Sequence, residues 1–405
     1  MLNWTTTLRF AIALGSVVIL GRLGISPANA QPEVTLRFPQ HHVARVLVES
    51  SPSRPDNYLA FPAVLDLGAD VLVSFKRGRR HGGDAEAKLE WLRLAGPARE
   101  VTPPRPLVAD AGKIMQMGEW VRFPNGDIAN YVDVQQVDAS GRNRRTGTIG
   151  VRSNDGGRTF GTPQPLGLVD AVEYGYPFSF VVEGKSTWML VMTFSDLTGG
   201  YSVYPRRPHA GPVCVLRSDD DGTTWRFVKN LTETFGNLPI NESFFIRHGD
   251  GFLVVTRGYD ERARLHLVDA DFRLLRQADL TEDCPLIDRY VGRPRLFVRD
   301  GATYLIGRNW LGTPKLAEQG LDTDRIPPAD VMRLCLFRLD PDRLAVTSAT
   351  LLDNQASENV TDGYYPSPYF RTVGDVTYLN VVDYKGVARQ PPRIIELEFL
   401  WDEVR

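Results

Sequence analysis

One unit recurs six times along this chain: an apolar strand, a glycine turn and a second apolar strand. It occupies residues 61–75, 119–128 and onward, 176–192, 244–255, 295–306 and 368–379. The turn glycines fall at 68, 126, 184, 251, 301 and 374, so successive units lie 50 to 73 residues apart. β-branched and aromatic residues dominate each unit, which suits a pleated, half-buried surface. Each unit is followed by a further strand ending at an acidic or glycine turn, as at 91–94, 265–271, 334–340 and 394–402. A repeat of this length with three or four strands per copy predicts an all-β fold, a six-bladed β-propeller. No long segment of helical period interrupts it. Residues 34–38 are expected to add a strand to the last blade and close the ring, removing an exposed edge.

Two of the third strands end in the same motif. Ser153-Asn154-Asp155-Gly156-Gly157-Arg158-Thr159-Phe160 and Ser218-Asp219-Asp220-Asp221-Gly222-Thr223-Thr224-Trp225 both read S-x-D-x-G-x-T-aromatic. The Asp can accept from turn amides, the Gly supplies a positive φ, and the hydroxyl residues tie the loop. The aromatic is placed to plug the blade edge. This motif resembles the Asp-box, or bacterial neuraminidase, repeat.

Charge narrows the function classes. Lys+Arg number 47 and Asp+Glu 49, a net charge of -2. No bulk positive field is available to hold nucleic acid or an anionic membrane. Residues 1–30 read as a secretory signal: an early Arg9, an apolar stretch from Phe10 to Leu20, and Ala28-Asn29-Ala30 before Gln31. The expected domains are therefore a signal peptide over 1–30 and the propeller over 31–405, in a secreted or periplasmic protein. An uncleaved anchor is the alternative, although a span takes about 20 apolar residues. Cys214, Cys284 and Cys335 allow one disulfide at most, and buried free thiols are expected. No cofactor and no metal are implied. The six histidines show no ligand spacing, and Gly82-Gly83 is followed by no phosphate-loop lysine.

A propeller gathers the starts of its inner strands, and the loops after its second strands, at one end of the central channel. Polar residues cluster at those places in the sequence. They are Arg79, Arg80 and Asp84 after unit 1, Tyr174 and Tyr176 entering unit 3, and Glu242 entering unit 4 with Arg257 and Asp260 leaving it. Arg293 enters unit 5 and Arg308 leaves it; Tyr364 and Tyr365 enter unit 6 and Asp383 leaves it. Singly, several of these also read as structure: Arg79 and Arg80 as a solvated basic run, Asp84 as a turn residue. Glu242 begins an inner strand among apolar residues, where an unpaired charge is costly.

The whole chain after residue 30 resembles the sialidase (neuraminidase) superfamily. The similarity rests on Phe61-Pro62-Ala63-Val64 leading to Gly78-Arg79-Arg80-His81-Gly82-Gly83-Asp84, on Asn241-Glu242-Ser243 with Asp250-Gly251 and Arg257, and on Asp362-Gly363-Tyr364-Tyr365-Pro366-Ser367. The resemblance implies a propeller of the sialidase type and an exo-acting glycoside hydrolase on a terminal acidic sugar of a glycan or glycoconjugate. It implies Asp84 as acid/base, Tyr365 as nucleophile with Tyr364 in reserve, and Glu242 as activator. It implies an anion clamp of Arg257 with Arg308 or Arg293. Ala60-Phe61-Pro62 stands where the family has Arg-Ile-Pro, so Arg79 or Arg80 would have to replace its first arginine. A neutral tyrosine suits an anomeric carbon bearing a carboxylate, which would repel a carboxylate nucleophile. Loss of that first arginine leaves a second expectation open, a glycan-binding propeller without turnover. A partner-binding scaffold is the third.

Overall fold

The computed structural model describes residues 34–139, 141, 143–194, 210–310, 332–353, 360–388 and 390–405. Six antiparallel sheets are arranged as the blades of a propeller. Their first strands are Tyr58–Asp66, Ile114–Arg122, Gly175–Glu183, Ile240–His248, Gly292–Arg299 and Ser367–Val373. Each is hydrogen-bonded to a second strand across a tight turn: Val71–Gly78, Ile128–Val137, Ser186–Phe194, Gly251–Gly258, Ala302–Asn309 and Val376–Val387. The strands alternate β-branched and aromatic side chains that interleave between neighbouring blades, burying Val73, Phe75, Leu190, Phe245, Val254 and Val382 in one continuous cluster. No helix among the described residues is long and apolar enough to cross a membrane. The excursion around Pro327-Pro328 lies outside the described residues.

Two sequence expectations need correction. The ring is closed by His42–Val48, which pairs antiparallel with Arg393–Leu400 and so joins N-terminal chain to the last blade. Thr35–Arg37, within the segment expected to do this, runs parallel to Ala345–Asp353 as a fifth strand of blade 5. The edge of the last blade is already taken, and Val34, Leu36 and Phe38 pack instead against the apolar cluster that spans blades 4 and 5. In blade 4 the left-handed turn residue is Gly249 (φ 53), while Gly251 begins the second strand. None of the three buried cysteines is in a disulfide.

The two S-x-D-x-G-x-T turns are built alike. Ser153 Oγ and Ser218 Oγ accept from the amides of Gly157 and Gly222 at 2.9 and 2.8 Å. Asp155 and Asp220 accept from the Thr159 and Thr224 amides and hydroxyls. Phe160 then wedges between Trp91 of blade 1 and Trp120 of blade 2, and Trp225 between Tyr131 of blade 2 and Phe180 of blade 3. Each turn thus fastens two blades. Asp220→Ala removes three side-chain hydrogen bonds at a largely exposed site. It is expected to lower stability by about 1 kcal/mol, read by urea denaturation.

Candidate functional site

Five of the six inner strands are irregular near their starts. The register slips between Ala60 and Ala63, Met115 and Met117, Gly175 and Pro177, Ile240 and Ser243, and Gly292 and Arg295. Phe61, Tyr176, Arg293 and Tyr364 hold positive φ of 44 to 61° without being glycine. Bulges of this kind re-aim side chains, and a non-glycine residue held there costs about 1–3 kcal/mol. The sequence accommodates them with Pro62, Pro177, Pro294 and Pro366, which have no amide to donate to a ladder.

The re-aimed side chains meet at Glu242. Its Oε1 accepts from the hydroxyls of Tyr365 at 2.7 Å and Tyr176 at 2.6 Å. Its Oε2 accepts from Arg257 Nη1 at 2.5 Å and from the Arg293 amide at 3.0 Å. Four blades therefore converge on one carboxylate. Burial alone would raise that carboxyl; the Arg257 charge, the two phenols and Arg293 outweigh burial and hold it well below the usual carboxylate range. The Tyr365 phenol is pushed up to about 12 by burial and by the Glu242 charge, against the pull of Arg308 and Arg257. At neutral pH the pair is an ionised carboxylate holding the proton of a neutral phenol.

Tyr365 is also fixed from behind. Asp383 Oδ1 accepts from the amides of Tyr365 and Tyr384, both at 2.7 Å. Above it lie two guanidiniums. Arg257 stacks on the Tyr290 ring at 3.9 Å, and Arg308 sits 5.1 Å from the Tyr365 ring and 5.9 Å from the same Tyr290 ring. Arg308 is 7% exposed. Among the described residues it donates only to the Gly363 carbonyl and Met332 Sδ, its Nε has no partner, and no carboxylate pairs with it. A buried cation without an anion is costly unless a ligand supplies one.

The side chains of the remaining expected residues have other partners. Arg293 spends its side chain on Glu119 (2.6 Å), which Arg295 also binds (2.8 Å), so it is a strut across the channel rather than a free clamp. Tyr364 points away and donates to Asp353 Oδ2 at 2.8 Å. Arg79 is exposed and pairs with Glu86, and Arg80 donates to the Gly83 carbonyl. Neither replaces the missing first arginine, because their loop folds back on itself and buries Lys76 instead. Ala60 and Phe61 fill that place, with the Phe61 ring 5.3 Å from that of Tyr365. The Asp84 carboxylate accepts from the backbone amides of Arg79 and Glu86 and lines an open depression with Asn143, with no contact to the Glu242 group among the described residues. Glu119 was not singled out in the sequence. Its signal is the one that marks Glu242, an acid inside an apolar inner strand.

The fold is a six-bladed β-propeller of the sialidase type. Solved structures agree on the fold. A protein of unknown function from Dyadobacter fermentans matches with a TM-score of 0.64 and 14% identity, over 89% of this chain and 99% of that one. The NanB sialidase of Streptococcus pneumoniae matches at 0.56 and 9%, over 89% and 71%. The intramolecular trans-sialidase of Ruminococcus gnavus matches at 0.52 and 10%, over 89% and 98%. No protein-family model and no curated protein matches the sequence.

Proposed function

We propose that this chain is an exported glycoside hydrolase that removes a terminal acidic sugar from a glycan. The observation that carries the reading is the Tyr365–Glu242 pair beneath Arg308, a buried guanidinium with no carboxylate partner among the described residues. A substrate carboxylate placed between Arg308 and Arg257 would supply the missing anion through charge-assisted hydrogen bonds. The anomeric carbon then lies over Tyr365. Tyr365 Oη attacks it as the glycosidic C–O bond breaks, its proton passing to Glu242 Oε1 while the aglycone oxygen takes a proton from an acid and leaves as the alcohol. Water later displaces the phenol, releasing the sugar as Glu242 returns the proton to Tyr365. A neutral nucleophile spares the repulsion that a second carboxylate would meet.

Arg308→Ala is expected to weaken binding of sialyl and uronyl glycosides about ten- to a hundredfold, the worth of a charged hydrogen bond, with no comparable loss for neutral glycosides. Calorimetric titration reads both. Equal losses for the two classes would remove Arg308 from carboxylate recognition. The alternative, a glycan-binding propeller without turnover, draws on Ala60 and Phe61 in the place of the first arginine. Binding without product across sialyl, uronyl and neutral glycosides would favour it.

A further inference from the structure

The proposed reaction needs a group that gives a proton to the leaving oxygen. Asp84, the residue expected from sequence, has both carboxylate oxygens engaged by backbone amides of its own loop. A different pair stands across the Phe61 ring from Tyr365. His81 Nδ1 lies 3.0 Å from Asp362 Oδ2 and 2.9 Å from the Tyr58 hydroxyl. Asp362 also accepts from Tyr58, and from the Tyr384 hydroxyl at 2.7 Å. With Tyr58 donating to Asp362, Nδ1 of His81 carries the proton toward the carboxylate. Nε2 has no partner among the described residues, on a side chain 55% exposed.

The imidazole is held in place. Its edge packs on the Phe61 ring at 4.9 Å, and the other side of the same cluster is Tyr365, 5.3 Å from Phe61, with Tyr384 at 5.4 Å. The backbone beneath it is pinned by a buried ammonium. Lys76 Nζ donates to the carbonyls of Arg80 (3.1 Å) and His81 (2.7 Å) and to Gln116 Oε1 (2.9 Å), and Gln116 Nε2 donates to the His81 carbonyl (2.9 Å). A buried lysine spent on the main chain of an exposed histidine is a positioning device. Asp362 and Tyr58 are the titratable groups in contact with the ring.

We propose that His81, oriented by Asp362, is the acid/base of this site in place of Asp84. The assignment rests on reading Tyr365 as the nucleophile. In the first step the imidazolium Nε2–H passes its proton to the glycosidic oxygen as the C–O bond breaks, and Tyr365 Oη bonds to the anomeric carbon, giving its own proton to Glu242. In the second, neutral Nε2 takes a proton from water, which attacks that carbon, and Glu242 returns the proton to the departing phenol. The carboxylate behind Nδ1 fixes the tautomer and the orientation of the ring.

Leaving groups separate the assignments. A 4-nitrophenyl glycoside departs without protonation, whereas a sugar aglycone, as in sialyllactose, does not. In the full chain, His81→Gln is expected to slow release of the sugar aglycone by about 10²–10⁴-fold and the nitrophenyl aglycone far less. Azide, which attacks without a base, should restore nitrophenyl turnover in this variant. His81 is exposed, so the fold is expected to survive, checked by circular dichroism. Asp84→Asn showing the split and the azide rescue while His81→Gln shows neither would overturn the assignment. Wild-type turnover of both substrates by Tyr365→Phe, or none by the wild type, would instead remove the reading beneath it.

Discussion

Tyr365→Phe is expected to abolish turnover of every glycoside the protein cleaves, by about 10³-fold or more, with the fold intact. Removing a nucleophile withdraws a bond made only along the reaction path, so kcat falls and substrate binding changes little. The ring packing against Phe61 and Tyr384 is retained, as is the anchoring of the Tyr365 amide by Asp383. Only the hydrogen bond to Glu242 is lost, and Tyr176 and Arg257 continue to occupy that carboxylate. A stability loss of about 1–2 kcal/mol is the most this deletion should produce. Single-turnover kinetics beside urea denaturation separates the two effects.

Glu242→Ala is expected to damage both activity and fold. The side chain is buried and serves two phenols, one guanidinium and one amide drawn from blades 3 to 6. Its removal strands Arg257 without its carboxylate, which by analogy with broken buried ion pairs costs about 3–5 kcal/mol. The effect has a pH signature. The unfolded Glu242 protonates near its ordinary value of 4.5, and the folded one only at lower pH. The stability it contributes is therefore complete above about pH 4.5 and fades as acid protonates the folded carboxylate. The gap between wild type and Glu242→Ala should narrow as pH falls below that point. A gap that is constant from pH 7 to 3 would show that the carboxylate charge is not what holds the site together.

The ring itself is legible in the sequence because its period is written in strands and turns, each set by local chemistry. Glu242 and Tyr365 are legible because a charge or a phenol opening an apolar inner strand has few ordinary uses. What fails is anything decided across blades. Arg293 and Arg308 look equivalent along the chain, flanking the same two strands. Only the packing gives Glu119 to one and leaves the other without a carboxylate. His81 carries no local signal, since Tyr58 reaches it from the start of blade 1 and Asp362, itself held by Tyr384, from blade 6. Closure failed for a similar reason: two N-terminal strands, Thr35–Arg37 and His42–Val48, compete for two edges, and composition does not rank them.

The central claim is that the Tyr365 oxygen becomes covalently bound to the sugar. The most direct measurement is mass spectrometry of the intact protein and its peptides after incubation with a 3-fluorosialosyl fluoride, whose second fluorine slows breakdown of a glycosyl-enzyme. The account predicts release of fluoride and one sugar adduct, carried by Tyr365. An adduct on another residue, or fluoride release in which Tyr365 stays unmodified throughout, would contradict it.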